Sequence, residues 1–471
     1  MNRAENYSIF QRNKDGYADV VFAGELLKDG RQFIHPCAGA MPEDGLLYRY
    51  VSAHAVREDD GMEVTPWTKC KVEGENWSVT FRLPEGGLYR LEARVNLGEN
   101  DAPEGGSFIK IISHVGVGEL FLLAGQSNMS GMSRDTAYDP PCLGVHMYGN
   151  DGIWRIAEHP INVSVNTLYP ENRETASGSS PALSFGREMQ RRLGVPVGLI
   201  PAALGGSRMS AWNPDEYGGL TRGMLRRIDA TGPVGGLLWY QGCSDAMFEG
   251  PKVDTYLPRL RRTIEYWREQ LGNIPIVMVQ LAGHNEPCDA ERGGNWEKDV
   301  EFSDMKNRHW AKLKEAQRQA AHTIENTCLV PTNDLGLWDC IHLNAGSNVI
   351  LGERIAGAML KLAFGKMGQF APDVESVTKT ADGNVLVKFS SSAPEAIFQE
   401  VTRGIHVEDE NGLVACVCAK KTADGVLLTP EREFTLPASF HACWRRELPT
   451  CIPRALSGLP MLTCYGVPIQ E

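Results

Sequence analysis

The 471-residue chain has no apolar run approaching the roughly 20 residues that a membrane-crossing helix needs. A membrane partner is therefore not expected. Nor is there an excess of basic charge: 47 Lys and Arg stand against 59 Asp and Glu, a net charge of -12, so no footprint for a phosphate backbone exists. Nucleic acid is set aside as a partner. The 12 cysteines never form a Cys-x-x-Cys pair, which leaves no indication of a zinc site or of a small disulfide framework. Free, mostly buried thiols are expected, with no metal and no cofactor. Residues 1–15 carry charges and amides where a signal peptide would place its apolar core, so the chain as written is expected in the cytoplasm, and outside it only if a leader had been removed. Internal repeats and low-complexity tracts are also missing.

What is present falls into three textures. Up to about residue 115, short alternating segments such as Trp77-Ser78-Val79-Thr80-Phe81-Arg82-Leu83 and Tyr89-Arg90-Leu91-Glu92-Ala93-Arg94-Val95 are separated by Gly and Pro turns, the signature of a β-sandwich. From residue 118 to about 364, apolar strands alternate with amphipathic helices, which predicts a doubly wound parallel sheet covered on both faces. The strand candidates are 120–124, 196–201, 236–240, 274–280 and 328–331, and the helix candidates are 181–193, 256–271, 304–326 and 349–364. Beyond residue 371 strand texture returns, most clearly in Asn384-Val385-Leu386-Val387-Lys388-Phe389 and at 425–428. The expected domains are 1–116, 117–368 and 369–471.

Four short blocks carry chemistry. Ser127 follows a buried strand in Gly125-Gln126-Ser127-Asn128-Met129, where a tight strand-to-helix turn would expose its hydroxyl at the carboxyl end of the sheet. A serine there is either a nucleophile or a helix N-cap. Next come Leu204-Gly205-Gly206-Ser207 leading to Trp212, and then Trp239-Tyr240-Gln241-Gly242. Finally Asp339-Cys340-Ile341-His342 sets a carboxylate three residues before a histidine, able to fix its tautomer or merely to cap the following helix. The surroundings of Ser127 lack the Gly-x-Ser-x-Gly elbow of α/β-hydrolases, so that fold is not expected.

In this order the blocks resemble those of SGNH hydrolases, and their spelling is similar to the sialate O-acetylesterase-like carbohydrate esterases. The resemblance implies a flavodoxin-like α/β domain between N-terminal and C-terminal β-sandwich-like domains. It implies serine-dependent, metal-free hydrolysis of O-acetyl esters on a sugar, sialic acid first and acetylxylan as the alternative, through an acetyl-Ser127 intermediate. His342 would be the base and Asp339 its partner, so activity would fall as His342 gains a proton at acidic pH. The oxyanion donors it implies are the N–H of Ser127, that of Gly205 or Gly206, and the side-chain amide of Gln241, for which a buried structural amide is the plainer alternative. Gln126, Asn128, Arg208, Trp212 and Tyr240 would meet the sugar, with Arg208 free to take a sialate carboxylate in bidentate fashion or to form an ordinary ion pair. Trp154 is a further aromatic candidate, and for each of Trp154, Trp212 and Tyr240 taken alone core packing is the plainer reading. One position departs: the family often reads Gln-Gly-Glu where this chain has Gln241-Gly242-Cys243, so Asp339 orients His342 alone or with help from Asp245. A reading of another class, a glycan-binding protein without catalysis, would make Cys243 a sign of decay.

Overall fold

A computed structural model describes residues 3–26, 50–96, 106–174, 177–248, 250–285, 296–392, 395–446 and 451–471. At its centre runs one long strand, Gly106–Gly125, whose two halves live in different environments. Its first half pairs antiparallel with Gly86–Asn96, and its second half, Leu120 to Ala124, is fully buried between parallel neighbours Val197–Pro201 and Gly236–Tyr240. The expected boundary between residues 116 and 117 thus falls inside a single strand. Continuous apolar sequence suits the second half because both faces are covered.

The five strands expected in the central sheet are all present. In space they run Val197–Pro201, Gly106–Gly125, Gly236–Tyr240, Ile276–Val279, Thr327–Val330, each parallel to the next, which is the flavodoxin-like order. A hairpin the sequence did not announce, Val145–Tyr148 with Trp154–Ile156, extends the edge beside Val197–Pro201. Helices Ala182–Leu193 and Ala345–Phe364 pack together, and Tyr256–Leu271 packs with Trp296–Thr323. No helix among the described residues is long and apolar enough to cross a membrane.

The N-terminal region faces the strands Tyr50–Arg57, Glu63–Lys69 and Gly86–Asn96 with a second sheet of Tyr17–Glu25, Asn76–Pro84 and Lys71–Glu73, around a core that includes Phe22, Trp77 and Leu91. The C-terminal region corrects the sandwich-like expectation, because its seven strands close into a barrel. Closure comes from a parallel contact between Val374–Lys379 and Cys464–Gln470, with Val377 opposite Ile469, and it wraps Val387, Val407, Val414 and Phe440 into one interior.

Candidate active site

The turn that bears Ser127 is shaped by a close backbone approach. Gly125 has φ 137°, and a Cβ there would stand 2.2 Å from the carbonyl oxygen of Tyr240, so only glycine lets the two neighbouring strands end this way. Ser127 then opens a single helical turn, Ser127–Ser130, in which the N-cap is Gln126. The serine is therefore not the cap. Gln126 Oε1 accepts from the N–H of Gly242 at 3.0 Å and from that of Ser244 at 3.4 Å, which ties this turn to the block after the next strand.

Asp339 organises the other half of the site. Its Oδ1 accepts from the backbone N–H of Ile341 at 2.8 Å and of His342 at 2.7 Å, while its Oδ2 lies 2.7 Å from His342 Nδ1. One carboxylate thus closes the loop and orients the ring through Nδ1, with Nε2 outside that bond. Burial alone would raise the pKa of Asp339, but the His342 ring and the two backbone donors outweigh it and hold the carboxyl below the ordinary range. The helix behind is capped separately, by the Asn344 side chain on the N–H of Ser347 at 2.8 Å, so capping is not the task of Asp339.

The two halves are joined by the residue next to the serine. Asn128 donates through Nδ2 to the Ile341 carbonyl at 3.1 Å and accepts through Oδ1 from the Leu343 N–H at 3.0 Å, so it grips the backbone on both sides of His342. The same loop is braced from below, where Asp334 is held by Arg354 and by Arg454, each at 2.7 Å. Gln280 and Thr463 add a reciprocal pair, each bond 2.9 Å, which docks the C-terminal region at the carboxyl end of Ile276–Val279. His284, at the same end, is buried and stacked on Trp310 with ring centres 5.2 Å apart.

Several expected ligand contacts lie elsewhere. Trp212 and Tyr240 are both 0% exposed, and Trp212 packs edge-on against Trp239 and Trp267 with its indole N–H on Ser207 Oγ, so these rings are core and offer no face to a sugar. Trp154 is likewise buried in the edge hairpin, against Tyr148. Gln126 Oε1 and both ends of the Asn128 amide are taken up by the framework bonds above. Gln241 is also fully buried, its Nε2 donating to the Ser207 carbonyl and to Asp245 while its Oε1 accepts from Tyr256, so it is the structural amide rather than a donor aimed at a substrate. Asp245 is buried and accepts from the N–H of Met209 at 3.0 Å and from Gln241 Nε2. Burial pushes the Cys243 thiol up to about 12, so it supplies no anion at neutral pH.

Arg208 alone of the expected sugar contacts is exposed, just after the glycine pair, with its guanidinium over the Phe248 ring at 5.5 Å. Phe248 and Trp338 are exposed aromatics that sequence reasoning passed over; Trp338 stands beside Asp339 and its N–H bonds to the His342 carbonyl at 2.7 Å. Glu174, also passed over, reaches the N–H of Gly205 from a loop that carries no motif.

The family described as carbohydrate esterase, sialic acid-specific acetylesterase, matches residues 117–361, more than half of the chain. The chain belongs to that family. This carbohydrate esterase is 26% identical over 288 residues to a probable carbohydrate esterase of Arabidopsis thaliana, a match covering 55% of the chain and 98% of that protein. Its fold is similar along nearly its full length to that of a carbohydrate acetylesterase from Xanthomonas citri, with a TM-score of 0.63, 18% identity, and coverage of 98% and 97% of the two chains. That similarity extends over the regions of the esterase that flank the family match.

Proposed function

We propose that this carbohydrate esterase removes O-acetyl groups from sialic acid through an acetyl-Ser127 intermediate. The observation that carries the mechanism is the Asn128 grip, because it binds the turn bearing His342 to the residue adjoining Ser127. In the acylation step His342 Nε2 takes the Ser127 hydroxyl proton as Oγ attacks the acetyl carbonyl, and Asp339 stabilises the imidazolium that forms. The tetrahedral oxyanion is met by backbone N–H groups of the nucleophile turn and the glycine loop. Its collapse breaks the ester bond, and the imidazolium returns the proton to the departing sugar oxygen. Water, activated by the same imidazole, then releases acetate and restores the serine.

Arg208 supports the choice of an acidic sugar. An exposed guanidinium held on a ring beside the glycine loop is suited to a carboxylate, which it can meet with two parallel N–H donors. Trp338 and Phe248 offer the apolar faces on which a sugar ring could rest. The test is acetate release from 9-O-acetylated sialic acid and from acetylated xylo-oligosaccharides. Ser127→Ala should lower turnover roughly 10,000-fold or more while the protein stays folded. Arg208→Gln should raise KM for the sialate about tenfold or more and leave hydrolysis of 4-nitrophenyl acetate alone. Release from xylo-oligosaccharides only would overturn the sialate assignment, and no release from any ester by folded protein would favour a glycan-binding role.

A further inference from the structure

Glu174 belongs to no sequence block, yet its position is fixed at several points. Its N–H donates to Ser164 Oγ at 2.7 Å and its carbonyl accepts from that same hydroxyl at 3.1 Å, so the backbone is pinned on both sides. Its Oε1 accepts the Gly205 N–H at 3.1 Å and its Oε2 accepts from Asn162 Nδ2 at 3.4 Å. Asn162 is buried and also donates to the Ala203 carbonyl at 3.2 Å, at the point where the glycine loop leaves its strand. The hydroxyl of Ser130, three residues beyond Ser127, donates to the Ser127 carbonyl at 3.1 Å. A Cβ on Gly205 would stand only 2.1 Å from Glu174 Oε1, so the missing side chain is what admits the carboxylate.

We propose that Glu174 is a positioning residue for ester hydrolysis: it locks the Gly205-Gly206 loop to the buried Asn162 and, by occupying the Gly205 N–H, leaves the Gly206 N–H as the loop's donor to the oxyanion. This rests on Ser127 acting as the nucleophile. A donor helps the transition state only if it is already aimed, and two adjacent glycines are the residues least able to hold an aim unaided. Gly206 has φ 69° and no atom within 4 Å of where its Cβ would be, so packing does not hold it. The carboxylate does, through a charge-assisted bond stronger than a neutral one. Its own charge, which would oppose a nearby oxyanion, is shared with the two amide donors from which it accepts. Burial raises its pKa, and those donors work against that rise.

The test uses the full chain and 4-nitrophenyl acetate, on which sugar contacts have no bearing. Glu174→Ala should lower kcat by about ten- to a hundredfold through a displaced donor, with KM within about twofold of the native value. Glu174→Gln keeps an oxygen for the Gly205 N–H and should recover most of that loss. Glu174→Asp keeps the charge but is too short to reach, so it should fall below the Gln variant even if the Ala variant does not fold. Native kcat in folded Glu174→Ala, a loss confined to KM, or an Asp variant faster than the Gln variant would each overturn the proposal. Ser127→Ala measured alongside separates the two readings: if it is inert, failure of the Glu174 series condemns Glu174 alone, whereas undiminished turnover condemns the nucleophile and this proposal with it.

Discussion

Replacing Asn128 by leucine removes the grip on the His342 turn while roughly filling the same volume. Two bonds disappear, to the Ile341 carbonyl and from the Leu343 N–H, each worth about 1 kcal/mol net. Leu343 is fully buried, so stranding its N–H costs about another 1 kcal/mol. The sum, about 3 kcal/mol, corresponds to a Tm lower by about 6–12 °C for a unit the size of the central domain. Catalysis should suffer more than stability. A turn free to move by about an ångström takes the imidazole out of line with the serine hydroxyl, and such misplacement costs about 100-fold in kcat. The Asp339–His342 bond lies within the turn and should survive, so KM for 4-nitrophenyl acetate should change little. Calorimetry gives the Tm, and steady-state rates taken well below it give kcat. A folded Asn128→Leu protein with native kcat would refute the reasoning, since the turn would then be held by its other anchors alone.

Three further expectations follow from the same geometry. Because Asp339 has a depressed pKa when folded, its contribution is complete above the ordinary aspartate value of about 3.9 and is lost only as pH falls through the lower folded value. Asp339 should therefore add no proton to the acid limb of kcat/KM above pH ~4, and a slope of two there would show that it titrates in that range. Cys243, 2% exposed with its thiol pushed up to about 12, should resist iodoacetamide at pH ~8 in the native protein, and rapid labelling with inactivation would contradict its placement. Trp212→Phe should cost about 1–3 kcal/mol in stability, read by denaturant unfolding, and leave KM for acetylated sugars unchanged. A raised KM at native stability would return Trp212 to the substrate.

How much of this was legible depended on how local each relation is. The central strands declared themselves because a parallel strand covered on both faces reads as an unbroken apolar run. The same rule put the first boundary inside a strand. Within Gly106–Gly125 the pattern changes from alternating to continuous as the strand passes from an antiparallel to a parallel setting, so a change of texture inside one element reads as a change of domain. Sandwich and barrel strands alternate alike, and only the distant pairing of Val377 with Ile469 distinguishes them here.

The site divides along the same line. Asp339 and His342 sit three residues apart in one turn, so their spacing already encodes the bond between them. Trp212 and Tyr240 were placed near the sugar by their neighbours along the chain, but a residue next to a functional loop is not thereby directed into it, and both rings turn into the core. Glu174 illustrates the converse. It lies 31 residues from Gly205, in a loop without periodicity, and no spacing rule links a carboxylate to a glycine N–H at that range. Its place beside the glycine loop emerges only when two loops fold over the same strand ends.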